Sequence, residues 1–140
     1  MSIDMDRLCR TLVRDAADAI VYVGGDGKIL LWNKGAERIF GFSEAEALDQ
    51  SLDIIIPVNL RERHWTGFDQ TMRTGESRYA GDALLAVPAL RKDGSRISVE
   101  FTVLPFHDED GKMAGIAAIL RDVTARFEEM KALRKKAAGK

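Results

Sequence analysis

The chain has 140 residues, with 21 lysines and arginines against 22 aspartates and glutamates, so its formal net charge is −1. This length is typical of one domain with a single hydrophobic core. Interspersed charges of both signs disfavour nucleic acid and anionic membranes as partners. The single cysteine, Cys9, excludes an internal disulfide framework and a cysteine-based zinc site, and it favours a reducing, cytoplasmic location. No apolar run approaches ~18 residues and the N-terminus is acidic, so we expect neither a membrane span nor a signal peptide.

The first third of the chain predicts a helix, a β-hairpin and two short helices. Residues 1–17 place apolar side chains at spacings of three and four, which is typical of an amphipathic helix. Residues 19–23 and 28–32 predict the paired strands of a hairpin, because the glycines between them permit positive φ. Asn33 and Ser43 are the predicted N-caps of the two short helices, and Glu46 completes a capping box with Ser43.

The stretch around His64 predicts a longer helix. We expect one helix over residues 57–75, because Pro57 suits a first turn and Gly75 suits a helix end. One gently drifting stripe of this helix is expected to face the core, and its members are Leu60, His64, Phe68 and Met72. The stripe leaves two interpretations of His64 open, a metal ligand or a packing residue.

The second half of the chain changes to strand periodicity. Residues 79–90 predict a strand, and Gly81 and Pro88 favour either a bend in it or an edge position. Residues 97–103 alternate between apolar and polar side chains, residues 113–120 predict a buried central strand, and the chain becomes helical again from residue 125. Strands at both ends with helices between them predict an α+β fold, in which an antiparallel sheet carries its helices on one face.

Catalysis is not expected. The adjacent carboxylates Asp108, Glu109 and Asp110 lie in a predicted turn, where solvent prevents the separation of pKa values that acid–base work needs. The sequence has no phosphate-binding glycine loop after a strand, no His-Glu-x-x-His and no nucleophile elbow. His107, beside this turn, is expected to be an exposed loop residue.

Four motifs, in this order and at these separations, resemble those of a PAS domain of the sensory-box type: Asp26-Gly27 with Trp32-Asn33, Phe40-Gly41-Phe42-Ser43, Arg91-Lys92-Asp93-Gly94 and Arg121-Asp122-Val123-Thr124. The resemblance implies a five-stranded antiparallel sheet in the order 2-1-5-4-3, with a ligand pocket between the sheet and the helices. It divides the chain into an N-terminal helix (residues 1–17), a PAS domain (18–124) and a C-terminal signalling helix (125–140). The last motif resembles the family's signal-transfer motif, which couples the domain to that helix.

Residues 57–81 are similar to the oxygen-sensing haem PAS domains of nitrogen-fixation sensor kinases. The matching residues are His64 and, after a short interval, Thr74-Gly75-Glu76-Ser77-Arg78. The resemblance implies a stand-alone sensor that binds haem b through His64 as the axial iron ligand and responds to CO, O2, NO or redox state. The other residues expected to contact the haem are Phe68, Met72, Arg78, Tyr79, Leu84, Phe101, Val103 and Leu120. The subfamily's arginine for bound oxygen is replaced here by Ala83 or Leu84, which favours CO over O2 as the ligand.

Two other functions stay open. One is a cofactor-free interaction module, a homodimer formed through the N-terminal helix that signals to an unknown effector protein. The other is an FAD-binding redox sensor, because Tyr79 falls near the position where FAD-binding PAS domains stack an aromatic ring on the flavin. A photosensing flavin domain is not expected, since it needs a cysteine in the central helices and the chain has only Cys9.

Overall fold

The computed structural model describes residues 2–76 and 85–139. The strands are β1 (Ala19–Gly24), β2 (Ile29–Trp32), β3 (Leu85–Leu90), β4 (Arg96–His107) and β5 (Met113–Asp122). The helices are α1 (Met5–Asp15), α2 (Lys34–Phe40), α3 (Glu44–Ala47), α4 (Arg61–Thr74) and α5 (Thr124–Ala138), with 3₁₀ turns at Leu52–Ile55 and Val58–Leu60. The strands form one antiparallel sheet in the order β2-β1-β5-β4-β3, which confirms the predicted α+β fold and strand order.

The strand β5 lies at the centre of the sheet, as its small apolar residues predict. It pairs with β1, where Val21 is opposite Ala118, and with β4, where Val103 is opposite the same alanine. Because residues directly opposite each other on neighbouring strands point to the same side, these three residues share one face of the sheet. β3 is an edge strand, so Pro88 removes no hydrogen bond from a neighbour on its outer side.

Asn33 joins three elements at the start of the fold. Its Oδ1 accepts hydrogen bonds from the backbone N–H groups of Ile20 (2.8 Å) and Ala36 (2.9 Å). Its Nδ2 donates to the carbonyl oxygens of Val13 (2.8 Å) and Asp18 (3.0 Å). The predicted N-cap of α2 is confirmed, and the same side chain also holds the end of α1 against the start of β1.

The long helix around His64 is shorter than predicted. The prediction of one helix over residues 57–75 is wrong at its start, because the 3₁₀ turn Val58–Leu60 precedes α4. Leu60 (φ −108°), the last residue of that turn, occupies the N-cap position of α4, and no side chain caps the helix at this end. Gly75 ends the helix as predicted, since its φ of +76° is the left-handed conformation that favours glycine.

Trp32 of β2 is deeply buried, whereas His107 of β4 is exposed. Trp32 is 1% exposed, and its indole N–H donates to the carbonyl of Phe42. The rings of Phe40 and Phe42 pack against it. His107 is exposed, as expected, but it is the last residue of β4 and not a loop residue.

The two flanking helices leave their apolar side chains exposed. In α1, Met5 is 61% and Leu12 60% exposed, and α5 likewise exposes Phe127 and Leu133. The Ser43–Glu46 capping box of α3 is confirmed by both of its hydrogen bonds. Within residues 2–76 and 85–139, no helix combines the length and the hydropathy of a membrane span.

Candidate ligand-binding site

A cavity of about 510 Å³ lies between α4 and one face of the sheet. Its volume is in the range of small-molecule sites, and its walls are mostly aliphatic and aromatic. The strands contribute alternate residues to the wall, namely Val21 and Val23 of β1, Val99, Phe101 and Val103 of β4, and Ile116, Ala118 and Leu120 of β5. Phe101, Val103 and Leu120 therefore lie on the cavity face of the sheet, whereas Ile119 is turned to the other face and is half exposed.

Helix α4 forms the opposite wall. Its cavity-lining residues recur at spacings of one, three and four along the chain, namely Arg63, His64, Gly67, Phe68 and Thr71. Met72, the last member of the predicted stripe, does not line the cavity, and its side chain lies instead near Gly25. Each step of four residues rotates the stripe by about 40°, so three steps carry it out of the cavity.

His64 lies half-buried on the cavity wall. Its Nδ1 is shielded from solvent and has no hydrogen-bond partner among the described residues. Burial lowers the pKa of His64, and the negative charge of Asp53 opposes that shift. The imidazole is therefore neutral near pH 7. A buried polar atom without a partner costs about 1–3 kcal/mol, so the folded chain carries this cost unless a bound group satisfies it.

A neighbouring tryptophan fixes the surroundings of His64. The rings of His64 and Trp65 meet edge to face, with centroids 4.5 Å apart and planes at 81°. The indole N–H of Trp65 donates to Asp53 Oδ1 over 2.7 Å. Trp65 also lies over Gly27, where a Cβ would come within 3.0 Å of the indole ring. Trp65 thus connects the histidine to the β1–β2 turn and to the 3₁₀ turn Leu52–Ile55.

Sequence patterns missed several residues of this site. Arg63 is an exposed residue that also lines the cavity, which places it at the opening. Ile55, Ile56 and the segment 86–89 of β3 complete the wall. Residues 54–56 are an apolar run in the sequence, but nothing in the sequence indicated that Ile55 and Ile56 would line the same cavity as His64.

Three expected contact residues, Arg78, Tyr79 and Leu84, lie outside the described residues, and so does Ala83. Their predicted roles stay predictions. The described residues contain no cluster of three or more His, Cys, Asp or Glu side chains that could hold a metal ion.

The antiparallel sheet in this order, with a ligand-sized cavity under its helices, defines the architecture of the domain. The PAS fold family matches residues 7–123, and the chain belongs to that family. This confirms the recognition made from the four motifs.

Curated relatives agree with this assignment. The chain is 30% identical over 132 residues to the sensor protein FixL of Bradyrhizobium diazoefficiens, a match that covers 86% of this chain and 25% of FixL. It is 25% identical over 109 residues to the oxygen sensor protein DosP of Escherichia coli, covering 78% of this chain and 13% of DosP. The chain thus spans a quarter or less of these relatives' lengths.

A solved structure shares the fold over nearly its whole length. The PAS domain of a Colwellia psychrerythraea protein superposes with a TM-score of 0.76 at 25% identity, covering 87% of this chain and 99% of that one. The sheet and the helices therefore belong to an architecture with an experimental counterpart.

Proposed function

We propose that this PAS domain is a sensor that holds haem b through His64 and responds to CO, O2, NO or redox state. The observation that carries the proposal is the buried, unpartnered nitrogen of His64 on the wall of an apolar cavity of about 510 Å³. The likeness to the sensor protein FixL supports a sensory role, and the likeness to the oxygen sensor protein DosP supports a diatomic gas as the signal.

The described residues fit such a group. A neutral imidazole can use one nitrogen as an iron ligand, and burial keeps His64 neutral. Phe68, Phe101, Val103 and Leu120 supply the apolar walls against which a porphyrin would pack. Haem, when bound, supplies an iron centre that binds diatomic gases and changes redox state.

The preference between CO and O2 depends on which wall residues can donate a hydrogen bond to the bound gas. The Thr71 hydroxyl donates to the carbonyl of Gly67, so it is already engaged within α4. The strand residues of the described wall are apolar and cannot donate a hydrogen bond from a side chain. We therefore expect CO to bind more strongly relative to O2 than in a pocket with a polar donor.

A signal from the cavity has a short route to the C-terminal helix. Leu120 lines the cavity, and Asp122 lies two residues further along β5. Asp122 Oδ1 accepts hydrogen bonds from the N–H (2.9 Å) and hydroxyl (2.5 Å) of Thr124. The Thr124 oxygen in turn accepts from the N–H of Ser98 on β4 (2.9 Å). A displacement of Leu120 would thus act on the junction of β4, β5 and α5, where an effector protein would read it.

The test is an absorption titration of the purified protein with haemin. Wild type is expected to develop a Soret band of ligated haem, and His64→Ala is expected to lose that spectrum. His107→Ala removes the other histidine from an exposed position and is the matched control. A colourless wild type would favour the interaction module, a yellow one would favour FAD, and a wild-type spectrum in His64→Ala would contradict the proposed ligand.

We also infer that the chain forms a homodimer through α1. The helix presents Met5, Leu8 and Leu12 to solvent, and none of its residues is buried. An apolar stripe of this kind is stabilised when a second copy covers it. Light scattering should show a dimer for wild type and a folded monomer for Leu8→Asp combined with Leu12→Asp, and an unchanged dimer would contradict this interface.

A further inference from the structure

The cavity carries one formal charge among its described wall residues. Arg63 is the only lining residue among them with a charged side chain, because the buried imidazole of His64 is neutral near pH 7. Since Arg63 is also exposed, this residue lies where the cavity meets solvent. The rest of that wall is apolar apart from Thr71, whose hydroxyl is engaged.

Two other arginines near the start of this helix have structural partners. Arg61 Nε donates to the carbonyl of Ile56 (3.0 Å), and its Nη2 donates to the carbonyl of Asp53 (3.3 Å). Arg96 Nη2 donates to Asn59 Oδ1 over 3.1 Å. Neither Arg61 nor Arg96 lines the cavity. Arg63 is therefore the arginine of this region that is placed to meet a ligand.

We propose that Arg63 binds a carboxylate of the molecule in the cavity and so selects ligands with an apolar body and an anionic end. An arginine guanidinium matches a carboxylate with two parallel N–H···O bonds, which fixes orientation as well as charge. The apolar walls would hold the body of the ligand, and Arg63 would set which end faces solvent. The proposal rests on the proposed function, because haem b carries two carboxylates, but it holds equally for another apolar carboxylic acid.

The first test uses protoporphyrin IX and its dimethyl ester, which differ in their carboxylates and contain no iron. Wild type should bind the free acid ~10-fold more tightly than the ester, the scale of one charge-assisted hydrogen bond. Arg63→Leu should bind both alike, and Arg63→Lys should recover part of the preference. Arg73→Leu removes an arginine from the last turn of the same helix, outside the cavity, and should behave as wild type. Fluorescence titration measures all four proteins.

The outcomes separate this inference from the haem proposal. Two results overturn the role of Arg63, even where haemin gives its Soret band. One is a preference for protoporphyrin IX over its ester that Arg63→Leu retains. The other is a wild type that binds both porphyrins without any preference. A long-chain fatty acid and its methyl ester form a second arm. If no porphyrin binds, a preference of wild type for the fatty acid that Arg63→Leu abolishes supports the role of Arg63 while the haem proposal fails. If wild type prefers the acid over the ester neither with the porphyrins nor with the fatty acids, the inference is overturned.

Discussion

Two polar side chains of this domain differ in how their hydrogen bonds are satisfied. Asn33 is 4% exposed, and its side chain uses both lone pairs and both N–H groups on backbone partners. His64 is half-buried, and its shielded Nδ1 has no partner among the described residues. Among the described residues, the joint at Asn33 is therefore fully hydrogen-bonded, whereas the shielded nitrogen of His64 is not.

This contrast separates a structural role from a binding role. A fully satisfied buried amide stabilises one arrangement of the chain, since each of its partners loses a bond when it is removed. An imidazole whose buried polar atom has no hydrogen-bond partner costs free energy, and a ligand that bonds to this atom would recover that cost. The two sites should therefore respond to substitution in opposite ways.

The largest effect on stability is expected at Asn33. Asn33→Ala removes the N-cap of α2 and leaves two buried N–H groups and two carbonyls without partners. We expect the free energy of unfolding to fall by about 3 kcal/mol, measured by urea denaturation. The matched control is Ser43→Ala, because Ser43 caps α3 by an exposed hydrogen bond and should cost only about 1 kcal/mol. Equal losses in the two variants would mean that the extra bonds of Asn33 contribute nothing.

A smaller effect is expected at the tryptophan beside the histidine. Trp65→Phe keeps an aromatic ring but removes the N–H that Asp53 accepts, which should lower the free energy of unfolding by about 1–2 kcal/mol. It should also shift the NMR resonance of the His64 Cε1–H, because the ring that faces the imidazole is no longer held. Trp32→Phe removes an indole hydrogen bond away from the cavity and should leave that resonance in place. A His64 resonance unchanged in Trp65→Phe would show that Trp65 does not position the imidazole.

The smallest effect concerns pH. Burial lowers the pKa of His64 below its ordinary value of about 6.5, so the folded protein binds fewer protons than the unfolded chain once the pH falls below that value. Wild type should therefore lose stability relative to His64→Leu between pH 7.5 and 5.5, by at most about 1.4 kcal/mol at the lower pH. Thermal melting of both proteins at the two pH values measures the difference. A constant gap between the two would show that His64 titrates alike in both states.

Local signals in the sequence predicted most of the fold. Caps, turn glycines and strand alternation are encoded within a few residues, so Asn33, Gly75 and the strand carrying Val99 to Val103 were placed correctly. The start of α4 was misplaced because Pro57 fits the beginning of a 3₁₀ turn as well as the beginning of an α-helix. The long-range role of Asn33 could not be predicted, since its partners Val13 and Ile20 are fixed only when the sheet forms.

The candidate site was predicted in part. Helical periodicity put His64 and Phe68 on one face of their helix, and strand alternation put Phe101 and Val103 on one face of theirs. The family resemblance implied Leu120, and all five residues line the cavity. The rotation of the stripe along α4 removed Met72 from the wall. Arg63 escaped prediction because it is one residue from His64 and therefore about 100° away around the helix, a separation that a cavity opening spans and a sequence pattern does not show.

The most direct test of the account compares wild type with His64→Leu in two ways. Leucine fills similar space without a polar atom, so the ligand-free variant should be at least as stable as wild type in urea denaturation at pH 7.5. The same variant should lose the Soret spectrum that wild type develops with haemin. A variant that is less stable by more than about 1 kcal/mol and still gives the wild-type spectrum would show that His64 is a packing residue and not the ligand.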